Sequence, residues 1–265
     1  MTNVQLNGID FYFERIGSGP RLLFCNGSGA TLADVAPLLA ELGKQFDVAA
    51  ADQRGLGRTS LPPAPYAMAD VAADVVALTD HLGWASFSVL GISFGGMVAQ
   101  ELAVTVPGRI ERLALLCTSS GGAGGSSYPL HTLADMDPAD RASRLSPLLD
   151  TRFTPEWLAS HDADRALVAG AMDRRASSRS DAVVRGEALQ MEARSRHDVY
   201  DRLPRISCPT LVASGLFDGI APPANGAAIA DQIPNAEFRQ FDGGHAFFMQ
   251  DPAAFPAIIA FLQGE

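Results

Sequence analysis

The stretch FSVLGISFGG, Phe87–Gly96, holds a G-x-S-x-G pattern with Ser93 between Gly91 and Gly95. Phe87–Ile92 has the apolar character of a strand, and GGMVAQELAVTV, Gly95–Val106, reads as a buried helix stopped by Pro107-Gly108. Ser93 therefore stands at a strand-to-helix bend, the context in which this pattern carries chemistry. Glycine two residues before and after the serine keeps side chains clear of the turning backbone. The helix that follows directs unpaired N–H groups and the positive end of its dipole at the hydroxyl. Ser93 is thus a candidate nucleophile, and the Phe94 N–H a candidate donor to an oxyanion.

On either side of this bend, apolar runs alternate with amphipathic segments, the pattern of a largely parallel sheet covered on both faces. The strands are expected at Val4–Leu6, Ile9–Arg15, Leu22–Asn26, Phe46–Ala51, Phe87–Ile92, Arg112–Cys117, Thr210–Ser214 and Glu237–Phe241. Helices are expected at Leu32–Leu42, Met68–Leu82, Pro223–Gln232 and Ala253–Leu262. After Cys117 the sequence changes to TSSGGAGGSSYP, suited to an exposed connection, and Pro138–Arg196 reads as three or four helices. This divides the chain into a core of residues 1–120 and 206–265 and a helical insertion of residues 121–205.

A serine hydroxyl is a weak nucleophile at neutral pH and requires a base within hydrogen-bond reach. Of five histidines, His245 in FDGGHAFFMQDP follows a strand and sits among glycines that let its loop reach Ser93. His81 ends a surface helix, His131 and His161 lie in the insertion, and His197 precedes the returning strand. Asp218 in LVASGLFDGIAPP follows another strand, so it reaches the same edge of the sheet and can orient the imidazole. Asp242 and Asp251 are nearer to His245 in sequence but read as turn and capping residues. The resulting order is Ser93, Asp218, His245, the order associated with G-x-S-x-G. The loop FCNGSGAT is expected to supply a second oxyanion donor at Ser28, with Asn26 and Gly27 close to the substrate.

Composition excludes several alternatives. With 47% hydrophobic and 19% charged residues, the 265-residue chain can bury a sizeable core. A formal charge of −10, with no basic stripe, disfavours nucleic acid and anionic lipid as partners. No export or membrane-spanning segment is evident in the sequence. Cys25, Cys117 and Cys208 lie in apolar runs, as expected of reduced thiols in a cytoplasmic protein, and none has metal-site spacing. The glycine segments match neither the P-loop nor the dinucleotide-binding pattern, so neither a metal nor an organic cofactor is expected.

Five ordered segments resemble the α/β-hydrolase superfamily: NGSG (Asn26–Gly29), ADQRGLGRTS (Ala51–Ser60), GISFGG (Gly91–Gly96), SGLFDGIAPP (Ser214–Pro223) and GGHAFF (Gly243–Phe248). The resemblance implies an α/β fold with a mostly parallel eight-stranded sheet and a helical cap after the sixth strand. It is nearest to small lactonase, esterase and cofactor-free peroxidase-like members, including those similar to 3-oxoadipate enol-lactonases. Asn26 stands where members usually carry histidine. Serine at the bend differs from the aspartate of haloalkane dehalogenases and epoxide hydrolases. Asp52 and Arg54 read as structural. The expected activity is hydrolysis of a small-molecule ester or lactone through an acyl-serine. Perhydrolysis, carbon–carbon cleavage on the same residues and slow turnover in a ligand receptor are the alternatives. Trp157, Leu158, Leu167, Met172 and Met191 are candidates to line an apolar pocket, and Arg174, Arg175 and Arg179 to meet a substrate carboxylate.

Overall fold

All eight expected strands form in the computed structural model, which describes residues 2–133, 136–176 and 180–265, with the backbone alone at 138–139 and 173–176. They are β1 Thr2–Leu6, β2 Ile9–Ile16, β3 Arg21–Cys25, β4 Asp47–Ala51, β5 Phe87–Ile92, β6 Ile110–Leu116, β7 Thr210–Gly215 and β8 Ala236–Phe241. The helices are α1 Ala36–Leu42, α2 Met68–His81, α3 Phe94–Thr105, α4 Pro138–Leu149, α5 Pro155–Ser160, α6 Asp162–Ala176, α7 Asp181–Ser195, α8 Pro223–Gln232, α9 Phe247–Gln250 and α10 Ala254–Gln263.

Helix α1 starts later than its apolar spacing suggests. The Asp34 carboxylate accepts from the Thr31 N–H at 2.8 Å and its hydroxyl at 2.7 Å, holding residues 31–34 in a turn. Pro37, at the helix start, then permits helix only from Ala36 onward.

The strand order is β1-β2-β4-β3-β5-β6-β7-β8. The first two pairings, β1 with β2 and β2 with β4, are antiparallel, and the rest are parallel. From β3 the chain moves outward to β4 and then crosses back to β5 on the other side. The carboxyl ends of β3 and β5 therefore flank a switch point, where open α/β sheets form their clefts.

Alternate residues of each central strand serve opposite faces. Leu23, Val89, Leu115 and Val212 pack with α2, α3 and α8 through Val71, Leu102 and Ile229. Leu22, Leu90, Leu116 and Leu211 pack with α1 and α10 through Leu39, Ile258 and Leu262. Each fully buried leucine or phenylalanine contributes roughly 1.5–3 kcal/mol, and burial on both faces explains the continuous apolar runs of the central strands. Helices α4–α7 all lie between β6 and β7 in the chain. Among the described residues, no helix is long and apolar enough to cross a membrane.

Candidate active site

Ser93 connects β5 to α3 with φ 55° and ψ −114°, a conformation that costs a non-glycine residue of order 1–3 kcal/mol. Contacts on both sides hold it there. Its N–H donates to the Leu116 carbonyl at 2.8 Å, and its carbonyl accepts from Thr118 Oγ1 at 2.8 Å. The flanking glycines are required by close approach: a Cβ on Gly91 would lie 2.5 Å from the Gly95 carbonyl oxygen, and one on Gly95 would lie 2.0 Å from that of Cys25. These contacts let α3 begin directly against β3.

The structure brings His245 and Asp218 to this serine. His245 Nε2 lies 3.0 Å from Ser93 Oγ, and Nδ1 lies 2.8 Å from Asp218 Oδ2. The side chain of Asp218 is fully buried, and its Oδ1 accepts from the Ile220 and Ala221 N–H groups, each at 2.8 Å. These bonds satisfy the second oxygen and fix the carboxylate plane. With Asp218 as acceptor, the imidazole proton sits on Nδ1 and the Nε2 lone pair faces the hydroxyl. Cys117 Sγ, an Asp218 oxygen and a His245 nitrogen lie within 4.8 Å of one another. Burial, reinforced by the Asp218 charge, pushes the thiol well above its ordinary range, so Cys117 packs as a neutral group.

The last residues of α4 and those just after it brace both loops. The Leu148 carbonyl accepts from the Gly219 N–H at 3.1 Å, the Leu149 carbonyl from the His245 N–H at 2.6 Å, and the Thr151 N–H donates to the Phe217 carbonyl at 2.9 Å. Between them, Asp150 is fully buried and paired with Arg152, which also reaches Asp242 at 2.8 Å and lies over the Phe217 ring. Asp242 is thus engaged away from the imidazole. Asp251 accepts from the Asp242 and Ala253 N–H groups, the capping role expected from the sequence.

The loop after β3 also lies against the serine. A Cβ on Gly27 would be 3.9 Å from that of Ser93. Asn26 shapes the loop: its Oδ1 accepts from the Gly27 N–H at 2.8 Å, and its Nδ2 donates to the Thr31 carbonyl at 3.2 Å. Both amide ends are therefore engaged within the loop, whereas the sequence pattern points Asn26 at the substrate. Among the described residues, the N–H groups of Ser28 and Phe94 donate to no protein acceptor, and Ser28 Oγ is buried without a partner. Two residues with no sequence signal complete the loop. Buried Gln190 of α7 accepts from the Gly29 N–H at 2.8 Å and donates to the Gln53 side chain, which in turn donates to the Asn26 carbonyl at 2.8 Å.

The remaining candidates fall elsewhere. Trp157 is not brought to the triad: its Nε1 donates to Asp164 at 2.8 Å, its ring stacks on His161 at 3.9 Å, and Arg152 lies over it. Leu158, Leu167, Met172 and Met191 are half-buried in α5, α6 and α7. Arg179 and the side chains of Arg174 and Arg175 lie outside the described residues. Asp52 accepts from the Leu32 and Arg58 N–H groups at 2.7 and 2.9 Å, and Arg54 forms a buried pair with Asp74, which supports a structural role for both. His81, His131 and His161 are exposed, and His197 is buried.

A family model described as the alpha/beta hydrolase fold matches residues 20–252. A poly(3-hydroxyalkanoate) depolymerase of Ectopseudomonas oleovorans is 31% identical over 254 residues, covering 92% of this chain and 84% of its own. A 3-oxoadipate enol-lactonase of Acinetobacter baylyi is 27% identical, covering 89% of this chain and 85% of its own. The crystal structure of the enol-lactonase from Burkholderia xenovorans LB400 superposes with a TM-score of 0.82 at 27% identity, over the full length of both chains.

Proposed function

The chain belongs to the alpha/beta hydrolase fold family, and within it we propose that it hydrolyses carboxylic esters or lactones through an acyl-enzyme on Ser93. The observation that carries this reading is the continuous chain from Ser93 Oγ to His245 Nε2 at 3.0 Å and from His245 Nδ1 to Asp218 at 2.8 Å. As the serine oxygen attacks the acyl carbon, Nε2 takes its proton, and Asp218 stabilises the resulting imidazolium. In this reading the N–H groups of Phe94 and Ser28 donate to the oxyanion, since both are unused by protein acceptors among the described residues. His245 then returns the proton to the leaving alcohol, or to the ring oxygen of an opened lactone. Water activated by the same nitrogen releases the acid.

Residues 121–205 serve in this reading as a cap, since α7 touches the oxyanion loop and the end of α4 touches the acid and histidine loops. The ester and lactone preference is supported by the depolymerase and enol-lactonase relatives. Turnover of p-nitrophenyl butyrate tests the proposal: purified protein is expected to hydrolyse it, and Ser93→Ala to lose at least about 10³-fold in kcat. Equal turnover by the Ser93→Ala variant rejects it.

A further inference from the structure

A polar cavity of about 110 Å³ is lined by residues of α3 and α7, among them Met97 and Arg194. Its walls include Arg194, His197, His131, Ser119, Ser126 and Ser127, and no Asp or Glu among the described residues. It is separate in composition from the triad, none of whose residues lines it. Arg194 is only 6% exposed and His197 only 7%. The guanidinium donates from Nη1 to the Tyr128 carbonyl at 2.9 Å, but Nε and Nη2 are buried without a partner, as are both ring nitrogens of His197.

This is an unusual arrangement for a structural arginine. Buried cations are normally paired, as are two largely buried arginines among the described residues, Arg54 with Asp74 and Arg152 with Asp150. Arg194 has no carboxylate partner among the described residues. Burial alone pushes its guanidinium down, to about 10, which leaves it charged at neutral pH. A cavity of this size has room for several water molecules or one small oxyanion. The vacant Nε and Nη2 donors form the planar fork that matches two oxygens of one anion.

We propose that this cavity binds a small oxyanion, a carboxylate or phosphate group, on the Nε and Nη2 donors of Arg194, with the His197 ring and the serine hydroxyls around it. The neutral imidazole contributes one N–H donor, and the anion supplies the charge that no side chain among the described residues provides. This assignment does not depend on Ser93 chemistry, so it is tested on the Ser93→Ala protein as well as on the wild type.

The test is thermal unfolding and calorimetric titration with inorganic phosphate and, separately, acetate, against chloride at equal ionic strength. Saturable binding with a Tm that climbs with the logarithm of anion concentration is expected. Tighter binding of phosphate assigns a phosphate-bearing ligand, and tighter binding of acetate a carboxylate. Arg194→Met is expected to weaken binding by at least about tenfold and to raise Tm in chloride alone, because it removes an uncompensated buried cation. Ser127→Asp, next to the Tyr128 carbonyl that Arg194 already touches, is a second variant. It supplies a built-in carboxylate and is expected to raise Tm in chloride and abolish the anion response. A wild-type response to both anions no greater than to chloride, as for a cavity holding water alone, overturns the proposal. So does binding that is undiminished in Arg194→Met or in Ser127→Asp.

Discussion

The Gly29 N–H donates to Gln190 Oε1 at 2.8 Å, joining a loop at the carboxyl edge of the sheet to a helix 161 residues further along the chain. Gln190 is fully buried and also engages Gln53, whose amide holds the Asn26 carbonyl. The position of the Ser28 N–H therefore depends on α7. Gln190→Met keeps the side-chain volume but removes both bonds. It is expected to lower kcat by about 10- to 100-fold with little change in KM, since a displaced oxyanion donor affects the transition state more than the bound substrate. Gln53→Met acts on the same chain of bonds, so the double variant is expected to lose no more than the worse single variant. Steady-state kinetics of the four proteins measures this, and additive losses contradict it.

Close approach of α3 to β3 yields a second prediction. A methyl group on Gly95 meets the Cys25 carbonyl oxygen at 2.0 Å and that of Asn26 at 2.7 Å, both backbone atoms that cannot rotate away. Gly95→Ala is expected to destabilise the fold by roughly 3 kcal/mol, at the upper end for overpacked sites, and to reduce activity by moving the oxyanion loop. Gly29 has φ +67° but nothing within 4 Å of where a methyl group would sit, so Gly29→Ala is expected to cost only about 1 kcal/mol. Urea denaturation of both variants distinguishes a steric from a conformational cost.

Stability should depend on pH through His197. Burial is the main cause that lowers its pKa to about 4, with Glu101, Asp198 and the Ser119 backbone opposing the effect and Arg202 adding to it. In the unfolded chain a histidine titrates near 6.5, so between that value and about 4 the unfolded state binds the extra proton. The stability associated with a neutral His197 is therefore complete above about 6.5 and is lost as the pH falls toward 4, by at most about 3 kcal/mol. Denaturant midpoints measured between pH 7.5 and 4.5 should decline over this window. His197→Gln should flatten the decline, and an unchanged slope in that variant contradicts the assignment.

Much of this architecture is legible from residues that stand next to a change in backbone type. Ser93 follows β5 and precedes α3, Asp218 follows β7, and His245 follows β8 among glycines, so local pattern and chain order suffice to nominate all three. Long apolar runs mark the strands because both faces of the sheet are covered. Helix α9 is a single turn too short to generate periodicity, and α1 starts late because Asp34 and Pro37 act on the backbone within an apolar stretch. Gln190 carries no local sign of its contacts: a glutamine on a helix reads as solvated, and its burial follows only from which helix packs over the loop, and the partner loop residue Gln53 is equally unmarked. Trp157 illustrates the converse. The sequence offers it as a pocket-lining candidate, and in the structure Asp164, His161 and Arg152 engage it within the helical segment between β6 and β7.

In the proposed mechanism Ser93 is the acylated nucleophile, activated by His245. Intact-protein mass spectrometry after exposure to a fluorophosphonate, followed by peptide mapping, tests it most directly. The predicted result is a single adduct on Ser93, forming with loss of esterase activity, absent from Ser93→Ala and slowed by orders of magnitude in His245→Ala. An adduct on another residue, or esterase activity that survives complete labelling of Ser93, rules out Ser93 as the nucleophile.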